Sequence, residues 1–226
     1  MSIVADLTAQ YRLEAFDKAA NNNLLSDSDV LMYLRQAETE ACRRGLIIRD
    51  VSTSAICNYA VTADNPWITI DSRIIKIKTA ELWTPNDDDP TIIAKTTMVR
   101  EHQRDLPNRW QDETGEPRAI VTDVDRGKVR LYPIPTHDGT LKLGVIRLPL
   151  ADMTTTPEIP LVYHPRLVDW VTHRAYVNAD PDLYYRQVGL DAYARFEAAF
   201  GPSVSVNDDL WIGDAPNRRR SHTRFF

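Results

Sequence analysis

The chain has 226 residues, with 27 Lys and Arg against 32 Asp and Glu, so its formal net charge is −5. Such a mildly acidic balance argues against a protein that wraps nucleic acid, because that affinity comes mainly from cations neutralising phosphates. With 43% hydrophobic and 26% charged residues the usage is ordinary for a globular chain, so a core of useful size can form.

The first segment, Ala5 to Lys18, places Leu7, Tyr11, Ala15 and Ala19 at helical spacing, and Asn21-Asn22-Asn23 breaks the pattern. A better-marked helix is predicted over 27–44. Ser26 fits its N-cap, Asp29 three residues on completes a capping box, and Leu25 with Val30 can form a hydrophobic staple. Leu31, Leu34, Ala37 (or Glu38) and Ala41 give one apolar face. Arg43 and Arg44 suit the negative end of the helix dipole, and Gly45 is expected to supply the left-handed stop.

The character then changes. Residues 47–82 are rich in Ile, Val and Thr and alternate in Trp67-Ile68-Thr69-Ile70 and Ile75-Lys76-Ile77-Lys78, which reads as strands. Asn86 to Pro90 is a polar turn, and Thr91–Ala94 returns as a strand. Thr96 to Arg104 reads as a short threonine-capped helix ending before Pro107. Arg118–Asp123 and Lys128–Tyr132 flank the turn Asp125-Arg126-Gly127, and Leu141–Leu148 follows Asp138-Gly139. These have the look of antiparallel strands in a small meander or sandwich.

After a Thr/Pro linker at 153–160 the helical spacing returns. Pro165 to Asn178 carries Leu167, Val168, Val171, Ala175 and Tyr176 on one side. Asp180 caps a last helix with Pro181 at its first position; Tyr185, Val188, Ala192, Phe196 and Ala199 form its face, and Gly201-Pro202 ends it. The remainder has little periodicity and reads as an arm. The expected fold is therefore α+β: a helical bundle formed by the N- and C-terminal helices (1–46 and 155–201), an inserted antiparallel β domain (47–154, with a short helix near 96–105), and an extended C-terminal arm (202–226).

Motifs for chemistry are scarce. Cys42 and Cys57 are no disulfide framework. There is no basic n-region followed by an apolar run, and no stretch approaches about 18 consecutive apolar residues, so neither a signal peptide nor a membrane span is expected. His102, His137, His164, His173 and His222 include no pair three or four residues apart, which argues for surface or hydrogen-bonded histidines over a metal site. With 8 glycines and no GxSxG, GxGxxG or P-loop, neither a nucleophile elbow nor a phosphate cradle is indicated. Asp87-Asp88-Asp89 reads as a solvated hairpin tip, and Asp123-Val124-Asp125-Arg126-Gly127 as a hairpin turn whose glycine arrives too early for a Ca²⁺ loop. Glu38 with Glu40, and Asp208 with Asp209, are indistinguishable from surface charge. No catalytic residue, metal or cofactor is nominated.

The sharper feature is the arm. Arg218, Arg219, Arg220 and Arg224 concentrate positive charge at the end of an acidic chain, with Trp211, Phe225 and Phe226 as apolar companions. Three readings stand beside one another: a solvated tail, a non-specific nucleic-acid contact, and a docking arm that orders on a partner protein.

Three stretches resemble the head-to-tail adaptor proteins of tailed bacteriophages, the connector ring subunits beneath the portal. They are the helix Leu25 to Arg44, the β stretch from Trp110 through Thr114-Gly115-Glu116-Pro117-Arg118 and Gly127–Pro135 to Gly139–Leu143, and the late helices with Leu167-Val168-Asp169-Trp170 and Tyr193–Gly201. The resemblance spans about residues 24–201 and implies a helical bundle plus a β domain assembled as a homo-oligomeric ring, often of twelve copies. It further implies a portal protein above, tail or nozzle proteins below, and DNA passing through the lumen without specific binding. The arm would dock on the portal, through Trp211, Arg218, Arg219, Arg220, Arg224, Phe225 and Phe226. The expected location is the head-tail junction of the virion, after assembly in the host cytoplasm, with no membrane. Alternatives are another virion tail component, such as a tail terminator or baseplate connector, or a virion-associated cell-wall hydrolase.

Overall fold

The computed structural model describes residues 3–15, 24–86, 89–102, 106–179 and 183–203. Among those residues it is mixed α and β, with five α-helices and mainly antiparallel strands. The chain divides into two compact units. Of the described residues, the first holds those within 3–50, 73–75 and 146–203, and the second those within 51–72 and 76–145.

The first unit contains α1 (Ile3–Glu14), α2 (Asp27–Gly45), the short strand β1 (Ile48–Asp50), α4 (His164–Ala179) and α5 (Leu183–Phe200). Its four helices share one core, which includes Leu7, Tyr11, Val30, Leu34, Leu167, Val171 and Phe196. Each large side chain buried there contributes about 1.5–3 kcal/mol, and that packing, more than intrinsic propensity, holds the four helices.

The start of α2 is as its sequence predicts. The Ser26 side chain accepts from the Asp29 amide at 3.1 Å, and the Asp29 carboxylate accepts from the Ser26 amide at 3.3 Å. Its far end differs from expectation. Leu46, not Gly45, is left-handed (φ 50°), and its amide donates to the Cys42 carbonyl. Gly45 stays helical, in a space where a Cβ would lie 2.9 Å from Ile47 Cγ1. The buried face of α2 is turned slightly, taking in Val30, Leu34, Ala37, Glu38, Ala41 and Cys42 and leaving Leu31 half-buried.

In α4 the expected face is buried: Leu167, Val168, Val171, Ala175 and Tyr176. In α5, Ala192 and Phe196 are buried as expected, but Phe200 takes the place of the exposed Ala199. The expected cap at Asp180 and Pro181 lies outside the described residues. Gly201 ends α5 with φ 96° and donates its amide to the Glu197 carbonyl at 2.8 Å. That conformation favours a residue without a Cβ.

The second unit contains the one-turn helix α3 (Ser54–Cys57) and the strands β2 (Asn58–Val61), β3 (Trp67–Thr69), β4 (from Ile74, of unit one, to Asn86), β5 (Asp89–His102), β6 (Thr114–Gly115), β7 (Ala119–Asp125), β8 (Lys128–Tyr132), β9 (Ile134–Pro135) and β10 (Gly139–Arg147, its last two residues in unit one). Within this unit the sheet order is β10-β4-β5-β7-β8-β3, with β2 also on β10. The pairs β4–β5, β7–β8, β3–β8 and β2–β10 are antiparallel.

Two sequence expectations are corrected here. The domain is not wholly antiparallel: β5 pairs with β7 in parallel, Val99 opposite Ala119, and β6 pairs with β9 in parallel. The short helix expected near 96–105 is absent among the described residues; 89–102 is strand β5. Paired on both sides, by β4 and by β7, this segment satisfies its backbone in the sheet, and tertiary pairing overrides local preference. The parallel join also needs a long crossover, which residues 103–118 supply, with a 3-10 turn at Trp110–Asp112. The turn at Arg126-Gly127 is a hairpin, with Asp125 opposite Lys128 and Gly127 at φ 72°.

Candidate interaction site

The residues singled out in the arm, Trp211, Arg218, Arg219, Arg220, Arg224, Phe225 and Phe226, lie outside the described residues, as do Asp208, Asp209 and His222. The other histidines whose side chains are described are hydrogen-bonded. His164 Nε2 meets the Ile159 carbonyl at 2.7 Å, His173 Nδ1 the Gly189 carbonyl at 3.0 Å, and His137 Nδ1 the Thr136 hydroxyl at 2.8 Å. Burial holds the His173 pKa below its ordinary value. Among the described residues no three His, Cys, Asp or Glu side chains come together in a group that could hold a metal. Both cysteines are buried, and neither is in a disulfide. No described helix is long and apolar enough to cross a membrane.

What the first unit does assemble is a set of arginine-centred contacts. Arg44, near the end of α2, donates its Nε to Glu40 at 2.9 Å, and its guanidinium lies 5.4–5.5 Å from the rings of Trp170, Tyr193 and Phe196. The ring faces attract the cation, so one side chain fastens α2 to both α4 and α5. Arg147 donates to Asp50 and Glu158. Glu38, buried in α2, accepts from the backbone amides of Glu158 and Ile159. The sequence leaves Glu38 indistinguishable from surface charge, though it also offers that residue, beside Ala37, for the α2 face; its partners are more than a hundred residues away, and no local pattern reveals them.

Between α1, α4 and α5 lies an open cleft of about 410 Å³ lined by Gln10, Glu14, Pro165, Arg166, Asp169 and Arg195. The Asp169 side chain is only 6% exposed. Its Oδ1 accepts from Arg195 Nε at 2.7 Å, and its Oδ2 lies 3.6 Å from Arg166. On the α1 wall, Glu14 accepts from the Gln10 side-chain amide at 2.7 Å. Along the chain, exposed Leu13 adjoins Glu14, and exposed Leu161 and Val162 precede Pro165. None of these residues was nominated from sequence. The i,i+3 spacing of Arg166 and Asp169 was a legible signal; Arg195 on another helix was not.

In the second unit, Arg130 is sandwiched, its guanidinium 5.3 Å from the Trp67 ring and 4.8 Å from the Trp110 ring, and it donates to the Gln111 carbonyl. Beside it the Tyr132 hydroxyl donates to Glu113 at 2.5 Å and accepts from Arg118 at 2.9 Å. These contacts pin the crossover turn to β8.

Much of the described polar chemistry holds helices and turns in place, as at Arg44, Arg147 and Arg130. The family model for the SU10 adaptor protein matches residues 2–220, and the chain belongs to that family, one of phage structural adaptors and not of enzymes. No curated protein matches the chain.

Proposed function

We propose that the protein is a head-to-tail adaptor subunit that assembles as a ring beneath the phage portal, joins the capsid to the tail, and lines the passage for DNA. The observation that carries this reading is membership of the SU10 adaptor family across residues 2–220. The portal and the tail or nozzle proteins are its partners, twelve is the expected copy number, and its chemistry is contact, not catalysis. The helices of the first unit serve as the bundle of the ring. The segment 202–226 is the portal-docking arm, with Trp211, Phe225 and Phe226 as apolar anchors and Arg218, Arg219, Arg220 and Arg224 on acidic partner groups. Extended arms suit a ring subunit because they add interface area without enlarging the core. A net charge of −5 suits a wall past which DNA slides without being gripped.

The test is the native mass of the purified chain, alone and mixed with its portal protein. The expected result is a ring-sized complex with portal. A deletion of 203–226 is expected to weaken docking at least tenfold. A truncated chain that docks as well as the full one overturns the role of the arm, and a full chain that never binds portal overturns the adaptor reading.

A further inference from the structure

We propose that the cleft between α1, α4 and α5 is a docking site for an acidic segment of a partner protein, which seats a carboxylate on Arg195 and Arg166. The inference goes beyond the adaptor reading, since the occupant is defined by its chemistry and not by a place in the virion. Its first support is the unspent donor capacity of the arginines. Arg195 uses its Nε on Asp169, and among the described residues its two terminal nitrogens make no hydrogen bond. Arg166 is held near the same carboxylate at 3.6 Å, beyond hydrogen-bond distance. The two side chains are 48% and 54% exposed, so their donors are open to an incoming group. The buried Asp169 orients the Arg195 guanidinium before any ligand arrives, which lowers the ordering cost of binding, and holds Arg166 nearby by charge.

The second support is the pattern of charge. Arg166 and Arg195 face a cleft that also holds Asp169 and Glu14, so these four side chains sum to zero. A polyanion such as a DNA backbone gains little from a site without net positive field. A single carboxylate gains from the planar donor fork of an arginine, which matches its two oxygens. Glu14, already accepting from Gln10, can accept a further donor from the segment that carries the carboxylate. The third support is the surround. Leu13, Leu161 and Val162 are 58%, 69% and 75% exposed and flank the cleft residues along the chain.

The experiment uses full-length protein and an acetylated, amidated hexapeptide, Gly-Leu-Asp-Glu-Leu-Gly, with binding followed by calorimetry and by the arginine Nε–H resonances. The expected result is binding that shifts the Arg195 resonance. The Asn-Gln version of the peptide, inorganic phosphate and a short DNA duplex should bind at least tenfold more weakly. Arg166→Ala should weaken peptide binding about tenfold, the size of one charge-assisted hydrogen bond. Arg195→Lys keeps the charge and loses the fork, and should weaken it by a similar factor. Because Arg195 is bonded to buried Asp169, the exposed Arg166 variant keeps the test decisive if the other fails to fold. No peptide binding to the wild type, binding unchanged in Arg166→Ala, or tighter binding of phosphate or DNA than of the acidic peptide each overturns the proposal.

Discussion

The Nε of Arg147 donates to Asp50 Oδ2 at 2.6 Å, with the two side chains only 6% and 4% exposed. The same guanidinium donates to Glu158 Oε1 at 2.6 Å and to the Leu148 carbonyl at 3.0 Å. One cation thus joins the strand after α2 to the segment that leads into α4. Removing one member of a buried pair strands the other charge, which costs about 3–5 kcal/mol. Arg147 keeps Glu158 as a partner, so Asp50→Ala is expected to lower the stability of the first unit by less, about 1.5–3 kcal/mol for one charged hydrogen bond, in urea unfolding. The double replacement Asp50→Leu with Arg147→Met should recover much of the loss, since apolar packing can match a buried pair. A cost below about 1 kcal/mol for Asp50→Ala would mean that the pair is solvated.

Glu38 and Glu158 should respond to pH in opposite senses. Burial raises the pKa of Glu38, with the amides of Glu158 and Ile159 pulling the other way. The folded protein holds this proton more tightly than the unfolded chain, so its contribution is complete at acid pH and is lost as pH rises through the raised value. Burial also pushes Glu158 up, but the Arg147 hydrogen bond and the Leu150 amide outweigh it and hold its pKa low. Its contribution is present above the ordinary carboxylate range and is lost as pH falls through the lowered value. Glu38→Gln is expected to raise Tm at pH 8 and to leave it unchanged near pH 4. Glu158→Gln is expected to lower Tm at pH 8, with the difference closing in acid. Thermal melts across that range check both signs.

The thiols should be silent until the protein unfolds. Burial, with the negative charges of Glu38 and Glu158 adding to it, pushes the Cys42 thiol up to about 12. At pH 8 about one molecule in ten thousand would then carry the reactive thiolate. Cys57 is 1% exposed. A chromogenic disulfide reagent should titrate no thiol in the native protein and both in guanidinium. Fast native labelling at Cys42 would show that the core around it opens.

Gly189 sits where α5 approaches α4. A Cβ there would lie 3.2 Å from Tyr176 Cβ and 3.4 Å from Val177 Cγ2. Tyr176 Cβ is fixed to its backbone, so the helices must part. Gly189→Ala gains about 1 kcal/mol of helix propensity and loses about 1–3 kcal/mol to overpacking. The expected net loss is about 1 kcal/mol, read as a lower urea midpoint at unchanged slope. A stabilised variant would show that the helix pair yields easily.

The elements that could be read from sequence are those written in local chemistry. Ser26 and Asp29 mark the start of α2 within four residues of chain, and Leu167, Val168, Val171 and Ala175 mark the inner face of α4 by spacing alone. Strand β5 could not be read that way. Its Thr96 to His102 portion carries no strong alternation, and only pairing with β4 and β7 makes it a strand. The cleft was hidden for the same reason. Gln10, Asp169 and Arg195 come from three helices and meet only after folding. Trp211 and the terminal arginines stood out by composition, a signal that identifies a segment without giving it a position.

The arrangement around Arg147 also constrains descent. Asp50 lies 97 residues from Arg147 in sequence, yet loss of Arg147 leaves the carboxylates of both Asp50 and Glu158 uncompensated. Single substitutions there should be purged, and lineages should lose the cation and its carboxylate partner together. The trio is inherited as one character, and relatives of this adaptor should either keep all of it or show apolar side chains at the positions of Asp50 and Arg147 together.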